Sequence, residues 1–142
     1  MHEVVAALII RSQRILLGQR SATRAFYPRV WDVFGGHVEP GEEHEQTLIR
    51  ELQEELGITP KQWNYLESIS LSQPNKETDL LTIYLYLVND WIGTPINRQL
   101  EEHSTIGWFS LEQAIQLRLA HPTYPTLFAR YLSSETDGET NE

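Results

Sequence analysis

The sequence predicts a single domain of the α/β class, because it combines strand patterns with a helix pattern within the length of one domain. The chain has 142 residues, of which 40% are hydrophobic and 10% aromatic, enough for an ordinary core. Short apolar segments rich in branched residues predict strands at 4–10, 14–20 and 80–88, and an amphipathic segment predicts a helix at 43–56. We therefore expect one folded domain over residues 1–132.

The first two strands are expected to form a hairpin, because only the polar residues Arg11–Gln13 separate them. The predicted helix follows Glu39–Glu42, in which Pro and Gly occupy the two central positions of a type II turn. Acidic residues fill its first turn, where they suit the helix dipole, and Gly57 stands where a left-handed C-terminal cap belongs. These signals place both ends of the helix.

The remaining elements are predicted after this helix. Apolar side chains alternate with polar or aromatic ones over Thr82–Leu87, which is typical of a strand. Ser110 and Gln113 form a capping box that would open a short helix, and Pro125 would begin the last one. The predictions are strands at 63–70, 80–88 and 106–109 and helices at 111–118 and 125–132.

Composition excludes several classes of function. The formal net charge of −9 leaves no basic surface for a nucleic acid polymer or an anionic membrane, although small anions held through a metal ion stay compatible with it. The chain has no cysteine, so it has no disulfide, no thiolate zinc site and no cysteine nucleophile. The first ten residues lack a basic leader, and no apolar run approaches the ~20 residues of a membrane span. We expect a soluble, cytoplasmic protein.

The charge is concentrated in two segments. Residues 36–58 carry seven acids and one base, and the tail 133–142 carries four acids and no apolar residue, so the tail is expected to be disordered. Between residues 11 and 29 there are five arginines and no acid. These arginines form either a solvated loop or a rim that contacts phosphates.

Three glutamates of the predicted helix call for a physical explanation. Glu51, Glu54 and Glu55 share an arc of about 100° on one helix face, beside an apolar stripe. A solvated face with intrahelical salt bridges is one interpretation, but Arg50 alone cannot neutralise three carboxylates. The other interpretation is a bound hard cation, for which all-oxygen ligands favour Mg²⁺ or Mn²⁺.

The segment 36–58, here named the signature segment, resembles the signature of the Nudix hydrolase family. Its fixed positions are filled by Gly36, Glu42, Arg50, Glu51, Leu52, Glu54, Glu55, Gly57 and Ile58. The resemblance implies a Nudix fold, an α/β/α sandwich with a mixed β-sheet. It also implies Mg²⁺-dependent hydrolysis, with Mn²⁺ as a substitute, of a nucleoside diphosphate linked to another group.

The resemblance also implies roles for individual residues. Glu51, Glu54 and Glu55 would be catalytic residues and metal ligands, and the carbonyl of Gly35 would be a further ligand. One glutamate would accept a proton from the attacking water, with Glu51 the first choice. By the same resemblance, the structural positions of the signature segment are Gly36, Glu42, Arg50 and Gly57.

Further candidates lie outside the signature segment. Glu102 lies six residues before Trp108, where MutT-type members have one more metal-binding glutamate, and Glu101 is the near alternative. Arg20 matches an arginine that contacts substrate phosphates, which suits its bidentate guanidinium. Phe34 replaces a common proline before the double glycine and would alter the floor of the base pocket. Tyr124 would stack on a base or hydrogen-bond to it, or else pack in the core.

The sequence favours a MutT-like enzyme that acts on a nucleoside triphosphate. One alternative is an ADP-ribose or nucleotide-sugar pyrophosphatase, which Pro74 weakly favours by its position. Another is a catalytically silent Nudix-fold module that binds nucleotides, although such proteins usually lose the glutamates that this chain keeps. The expected partner is a small nucleotide, and the expected state is a monomer or a homodimer.

Overall fold

The computed structural model describes residues 2–23, 28–73 and 76–132, so the predictions for Pro74 and for the tail 133–142 lie outside the described residues. The chain divides into two compact units. The first contains the residues up to Leu8 together with Phe34–Arg98, and the second contains Ile9–Val33 together with the residues from Gln99 onward. The elements are β1 His2–Arg11, β2 Arg14–Arg20, β3 Trp31–Asp32, β4 Phe34–His37, α1 His44–Leu56, β5 Thr59–Gln73, β6 Lys76–Ile92, β7 His103–Phe109, α2 Leu111–Ala114 and α3 Tyr124–Tyr131.

In the first unit, α1 packs on a sheet. The start of β1 pairs antiparallel with β4, and β5 pairs antiparallel with β6. Helix α1 contacts β4 and β5 through the apolar stripe predicted for it, and Leu48, Leu52 and Leu56 are fully buried. Strands β5 and β6 are both longer than predicted. The predicted alternation in β6 changes after Leu85, because Tyr86 is buried as well.

The turn before α1 and the glycine after it are those that the sequence predicts, whereas the N-cap is a feature that the sequence did not predict. Gly41 has φ 81°, and Glu42 N–H donates to the carbonyl of Glu39 at 2.9 Å, as in a type II turn. Glu43 is the N-cap and forms a reciprocal capping box with Gln46. At the other end, Gly57 has φ 71°, the left-handed conformation that ends many helices.

In the second unit, the end of β1 forms the predicted hairpin with β2, in the register Ile10 opposite Ile15. Strand β2 also pairs antiparallel with β3 and β7, and Trp31 forms a parallel bridge with Leu119. The capping box of Ser110 is present, but the prediction that α2 extends to residue 118 is wrong, because the helix ends at Ala114. Beyond Ala114 the backbone forms tighter three-residue bonds, such as Leu117 N–H to the carbonyl of Ala114 at 3.1 Å. None of the helices in the described ranges is long and apolar enough to cross a membrane.

Candidate active site

Two adjacent glycines allow the elements of the first unit to approach closely. Gly35 and Gly36 lie in β4, beside β1 on one side and α1 on the other. Gly35 has φ 154°, and a Cβ there would overlap the backbone carbonyl of Val5. A Cβ on Gly36 would instead overlap the carboxylate of Glu51. The missing side chain at Gly36 therefore makes room for the Glu51 carboxylate against the backbone of β4.

Glu42 and Arg50 join the loop before α1 to the helix. Arg50 Nε donates to Glu42 Oε2 at 2.8 Å, and Nη2 donates to Oε1 at 3.0 Å, so the contact is bidentate. Thr47 Oγ1 donates to Glu42 at 2.7 Å, and Glu39 N–H donates to it at 3.1 Å. The hydrogen bond from Arg50, followed by that from Thr47, lowers the pKa of Glu42 to about 2. Glu42 therefore stays ionised at any ordinary pH.

Arg50 also contacts two of the candidate metal ligands. Its Nη1 donates to Glu51 Oε2 at 2.8 Å and to Glu54 Oε1 at 3.3 Å, and its Nη2 donates to the carbonyl of His37 at 3.1 Å. Arg50 and Glu54 thus form an ion pair at the i, i+4 spacing that brings side chains together on a helix. The side chain of Glu51 is 15% exposed and that of Glu54 is 49% exposed, so Glu54 is the more accessible carboxylate.

Glu55 is the buried member of the three glutamates, with 5% of its surface exposed. It lies next to the apolar stripe of α1, between the buried residues Leu52 and Leu56 along the chain. Its backbone carbonyl accepts a hydrogen bond from Arg98 N–H at 3.0 Å. Carboxylate oxygens are ligands that hard divalent cations prefer, and a bound cation would offset the cost of burying this charge.

The donor types in the signature segment, and at Gly35 just before it, fit a hard divalent cation. Glutamate carboxylates and a backbone carbonyl such as that of Gly35 are the oxygen ligands that Mg²⁺ and Mn²⁺ prefer. Among the described residues, no three His, Cys, Asp or Glu side chains are grouped so that they could hold a metal ion. Arg50 contacts Oε2 of Glu51 and Oε1 of Glu54, so a cation could bind the second oxygen of each carboxylate while Arg50 stays in place.

In the second unit, two other candidates are neighbours in the backbone. Arg20 ends β2 and lies opposite His103 at a register shift with β7. Ser21 N–H donates to the carbonyl of Glu102 at 2.8 Å, and the side chain of Glu102 is exposed. The structure therefore brings the backbones of Arg20 and Glu102 together, as two candidates that the sequence selected independently.

The two candidates for the base pocket are both buried. Phe34 begins β4 in the first unit and is fully covered. Tyr124 begins α3 in the second unit and is 2% exposed, and its hydroxyl donates to Asp32 Oδ1 at 2.7 Å. Burial raises the pKa of Tyr124 well above its usual value, and the charge of Asp32 adds to the effect.

Asp32 is a residue that the sequence analysis missed. Burial raises the pKa of Asp32, and the hydrogen bond from Tyr124 opposes that effect. Perturbed carboxyl groups of this kind are common at binding sites, so Asp32 joins the candidates of the second unit. The available signal was an acid within the apolar run Val30–Phe34, where a charged side chain needs a partner.

Comparisons with known proteins identify the family and the fold. A family model described as NUDIX domain matches residues 1–131. The chain is 40% identical over 129 residues to the CTP pyrophosphohydrolase of Escherichia coli, covering 91% of this chain and 90% of that protein. It is 34% identical over 131 residues to the 8-oxo-dGTP diphosphatase of Haemophilus influenzae, with 91% and 90% covered. The MutT Nudix hydrolase structure from Burkholderia pseudomallei matches with a TM-score of 0.75 and 27% identity over 89% of this chain and 94% of that one.

The fold and the signature segment thus define a hydrolase of phosphoric anhydrides. The chain belongs to the Nudix family, and the predicted fold of the α/β class with a mixed sheet is confirmed. Its relatives are pyrophosphohydrolases and diphosphatases, so the chain is a Nudix pyrophosphohydrolase that acts on nucleotides.

Proposed function

We propose that this chain is a Mg²⁺-dependent pyrophosphohydrolase that cleaves nucleoside triphosphates by attack of water on phosphorus. The observation that carries the proposal is the set of three glutamates on α1, one of them held against Gly36 and one buried. Both relatives described above are named for nucleoside triphosphates, which supports this class of substrate. They differ in the base, so the proposal extends to the triphosphate and not to one base.

The proposed metal ligands in the first unit are Glu51, Glu54, Glu55 and the carbonyl of Gly35. For Glu102, in the second unit, a role as metal ligand stays a prediction. When bound, Mg²⁺ would neutralise phosphate oxygens and lower the pKa of a water molecule. Arg50 would keep Glu51 oriented while Glu42 keeps Arg50 in place, because both contacts are short and largely covered. One of the three α1 glutamates would accept the proton of the attacking water, with Glu51 as the first choice.

A substrate contact is proposed for one residue. Arg20 would contact the phosphates, because its guanidinium matches two phosphate oxygens. Contact with the base stays a prediction for Phe34 in the first unit and for Tyr124 in the second, and both side chains are buried. Cytoplasmic location and a monomeric or homodimeric state stay predictions.

The proposal is tested by incubating the purified chain with a nucleotide panel and Mg²⁺ or Mn²⁺. The panel contains CTP, dCTP, GTP, 8-oxo-dGTP and ADP-ribose, and the products are separated to distinguish pyrophosphate from phosphate. We expect metal-dependent release of pyrophosphate from at least one triphosphate. Hydrolysis of ADP-ribose alone would favour the alternative pyrophosphatase, and binding without any hydrolysis would favour a silent module.

The metal assignment is tested with Glu54→Gln and Glu55→Gln. Each variant removes one anionic ligand while keeping the size of the side chain, so we expect turnover to be abolished and the circular dichroism spectrum to be unchanged. Lys61→Ala, at an exposed base that lies 3.9 Å from Asp90, is the control for a surface change in the same unit. Near-normal activity of either glutamine variant at saturating Mg²⁺ would contradict the assignment of that residue.

A further inference from the structure

The end of α1 has an unfavourable charge distribution. Glu54 and Glu55 lie in the last turn, near the carbonyl end of the helix that carries a partial negative charge, and the last turn contains no basic residue. Four backbone carbonyls at a helix end also lack partners within the helix. The C-terminal end of this helix therefore needs both hydrogen-bond donors and a positive charge from elsewhere.

The segment Ile96–Arg98 supplies both. Ile96 N–H donates to the carbonyl of Leu56 at 3.0 Å, and Arg98 N–H donates to the carbonyl of Glu55 at 3.0 Å. The guanidinium of Arg98 donates through Nη1 to the carbonyl of Gln53, also at 3.0 Å. The side chain of Arg98 thus brings a positive charge to the end of α1, and the backbone N–H of Arg98 binds the carbonyl of Glu55.

Two glycines allow this segment to lie close to the helix. A Cβ on Gly57 would lie 3.0 Å from Cδ of Arg98, in addition to the strain at φ 71°. A Cβ on Gly93 would lie 3.1 Å from the carbonyl oxygen of Gly57. Gly57 therefore serves a second purpose besides ending the helix, because the stem of Arg98 covers it.

We infer that Arg98 is a positioning residue for Glu55, an inference that rests on the proposed role of Glu55 as a metal ligand. By holding the peptide group of Glu55 and the carbonyl of Gln53, Arg98 fixes the last turn of α1 and with it the direction of the buried Glu55 side chain. Its charge also offsets the negative end of the helix beside Glu54. The contacts of Arg98 with α1 are to the backbone carbonyls of Gln53 and Glu55.

The test uses Arg98→Ala, Arg98→Met and Arg98→Lys in the full chain. Methionine keeps an apolar stem over Gly57 but has neither the positive charge nor the hydrogen-bond donor. Lysine keeps the positive charge and a donor, but places them on an ammonium group instead of a guanidinium. Lys61→Ala is the matched control, an exposed base removed from the same unit. Mn²⁺ binding is measured without nucleotide from the electron paramagnetic resonance signal of the free ion, and the Mn²⁺ dependence of hydrolysis is measured separately.

We expect the dissociation constant of Mn²⁺ to rise about tenfold in the Ala and Met variants, the lower end of what loss of an outer-shell partner costs. The Mn²⁺ concentration for half-maximal hydrolysis should rise in parallel, while KM for the nucleotide at saturating Mn²⁺ stays unchanged. Lys should restore most of the affinity, and Lys61→Ala should match the wild type.

A purely structural role would lower the melting temperature of the Met variant and leave its Mn²⁺ affinity unchanged, which would overturn the inference. The Met and Lys variants decide the question if Arg98→Ala does not fold. A wild-type chain that neither binds Mn²⁺ nor hydrolyses a triphosphate would overturn the proposed function and this inference together. If the wild type binds Mn²⁺ and hydrolyses a triphosphate, and Arg98→Met matches it in both measurements, only the inference about Arg98 is overturned.

Discussion

Gly35 and Gly36 are adjacent in β4, yet each is required by a different neighbour. An added Cβ on Gly35 meets the backbone of Val5, which cannot move without disturbing the strand pairing. An added Cβ on Gly36 meets the side chain of Glu51, which can rotate away. Equal chemical changes at neighbouring positions should therefore have different consequences, one for folding and one for the candidate metal site.

We expect Gly35→Ala to destabilise the protein severely and Gly36→Ala to leave it folded but weak in Mn²⁺ binding. Loss of stability at Gly35 should reach about 2–4 kcal/mol, within the range for substitutions that force a backbone shift. Urea unfolding and Mn²⁺ titration of the two variants measure the two effects. A Gly36→Ala variant with wild-type Mn²⁺ affinity would contradict the placement of Glu51 at the metal.

Glu42 gives a second prediction at the scale of one residue, because its pKa falls from 4.5 in the unfolded chain to about 2 in the fold. A carboxyl group with a lowered folded pKa stabilises the fold above its unfolded pKa, and this contribution is lost as the pH falls through the folded value. Wild type should therefore be more stable than Glu42→Gln at pH 7. The difference should shrink between about pH 4.5 and pH 2.

Urea midpoints of both proteins at pH 7, 5, 4 and 3 provide the measurement. Glu112→Gln is the control, because Glu112 lies in the first turn of α2 in the other unit and has no contact with Arg50 among the described hydrogen bonds and ion pairs. A difference between wild type and Glu42→Gln that stays constant over this pH range would mean that Arg50 does not hold the ionised carboxyl.

At the scale of elements, the sequence predicts best where local chemistry and packing agree. Helix α1 has an apolar stripe, a turn before it and Gly57 after it, and each signal places the same element. Helix α2 has the predicted start at Ser110, but beyond Ala114 the backbone changes to three-residue hydrogen bonds, which the sequence pattern does not indicate. Strands β3 and β4 escape prediction because two to four residues, half of them glycine in β4, carry no strand pattern.

The candidate site also combines residues that local sequence spacing predicts with residues that only long-range contacts bring together. The spacing of Glu51, Glu54 and Glu55 is a helical property and can be read from the sequence. The partnership of Asp32 with Tyr124 joins residues 92 positions apart, and the role of Arg98 at the end of α1 depends on a chain segment 45 positions from Gln53. Contacts at such separations depend on topology, which a single sequence does not specify.

The turn between β1 and β2 offers a prediction for an element. Ser12 and Gln13 have φ of 53° and 62°, the conformation of a type I′ hairpin turn, which favours Asn followed by Gly. Replacing both, as Ser12→Asn with Gln13→Gly, should stabilise the protein by about 0.5–1 kcal/mol, because the strained residues are removed. Ser12→Val should destabilise it, since a branched side chain disfavours positive φ. Thermal melting of the three proteins measures both signs, and a lower melting temperature for the Asn-Gly variant would contradict the turn conformation.

At the scale of the whole molecule, the net charge of −9 should couple metal binding to stability. The signature segment holds most of that charge, with seven acids and one base over residues 36–58. A cation that binds the folded but not the unfolded chain stabilises the fold by about 2.7 kcal/mol when its concentration is a hundred times the dissociation constant. For a chain of this length, that corresponds to a rise of about 8 °C in melting temperature.

We expect Mn²⁺ to raise the melting temperature of the wild type by about this amount. NaCl at equal ionic strength should raise it much less, because Na⁺ screens the charges without binding a site. Glu55→Gln should lose most of the Mn²⁺ effect while keeping the effect of NaCl. Equal shifts in melting temperature from Mn²⁺ and NaCl would mean that the acidic face of α1 does not bind the metal ion and is a solvated face with salt bridges to Arg50.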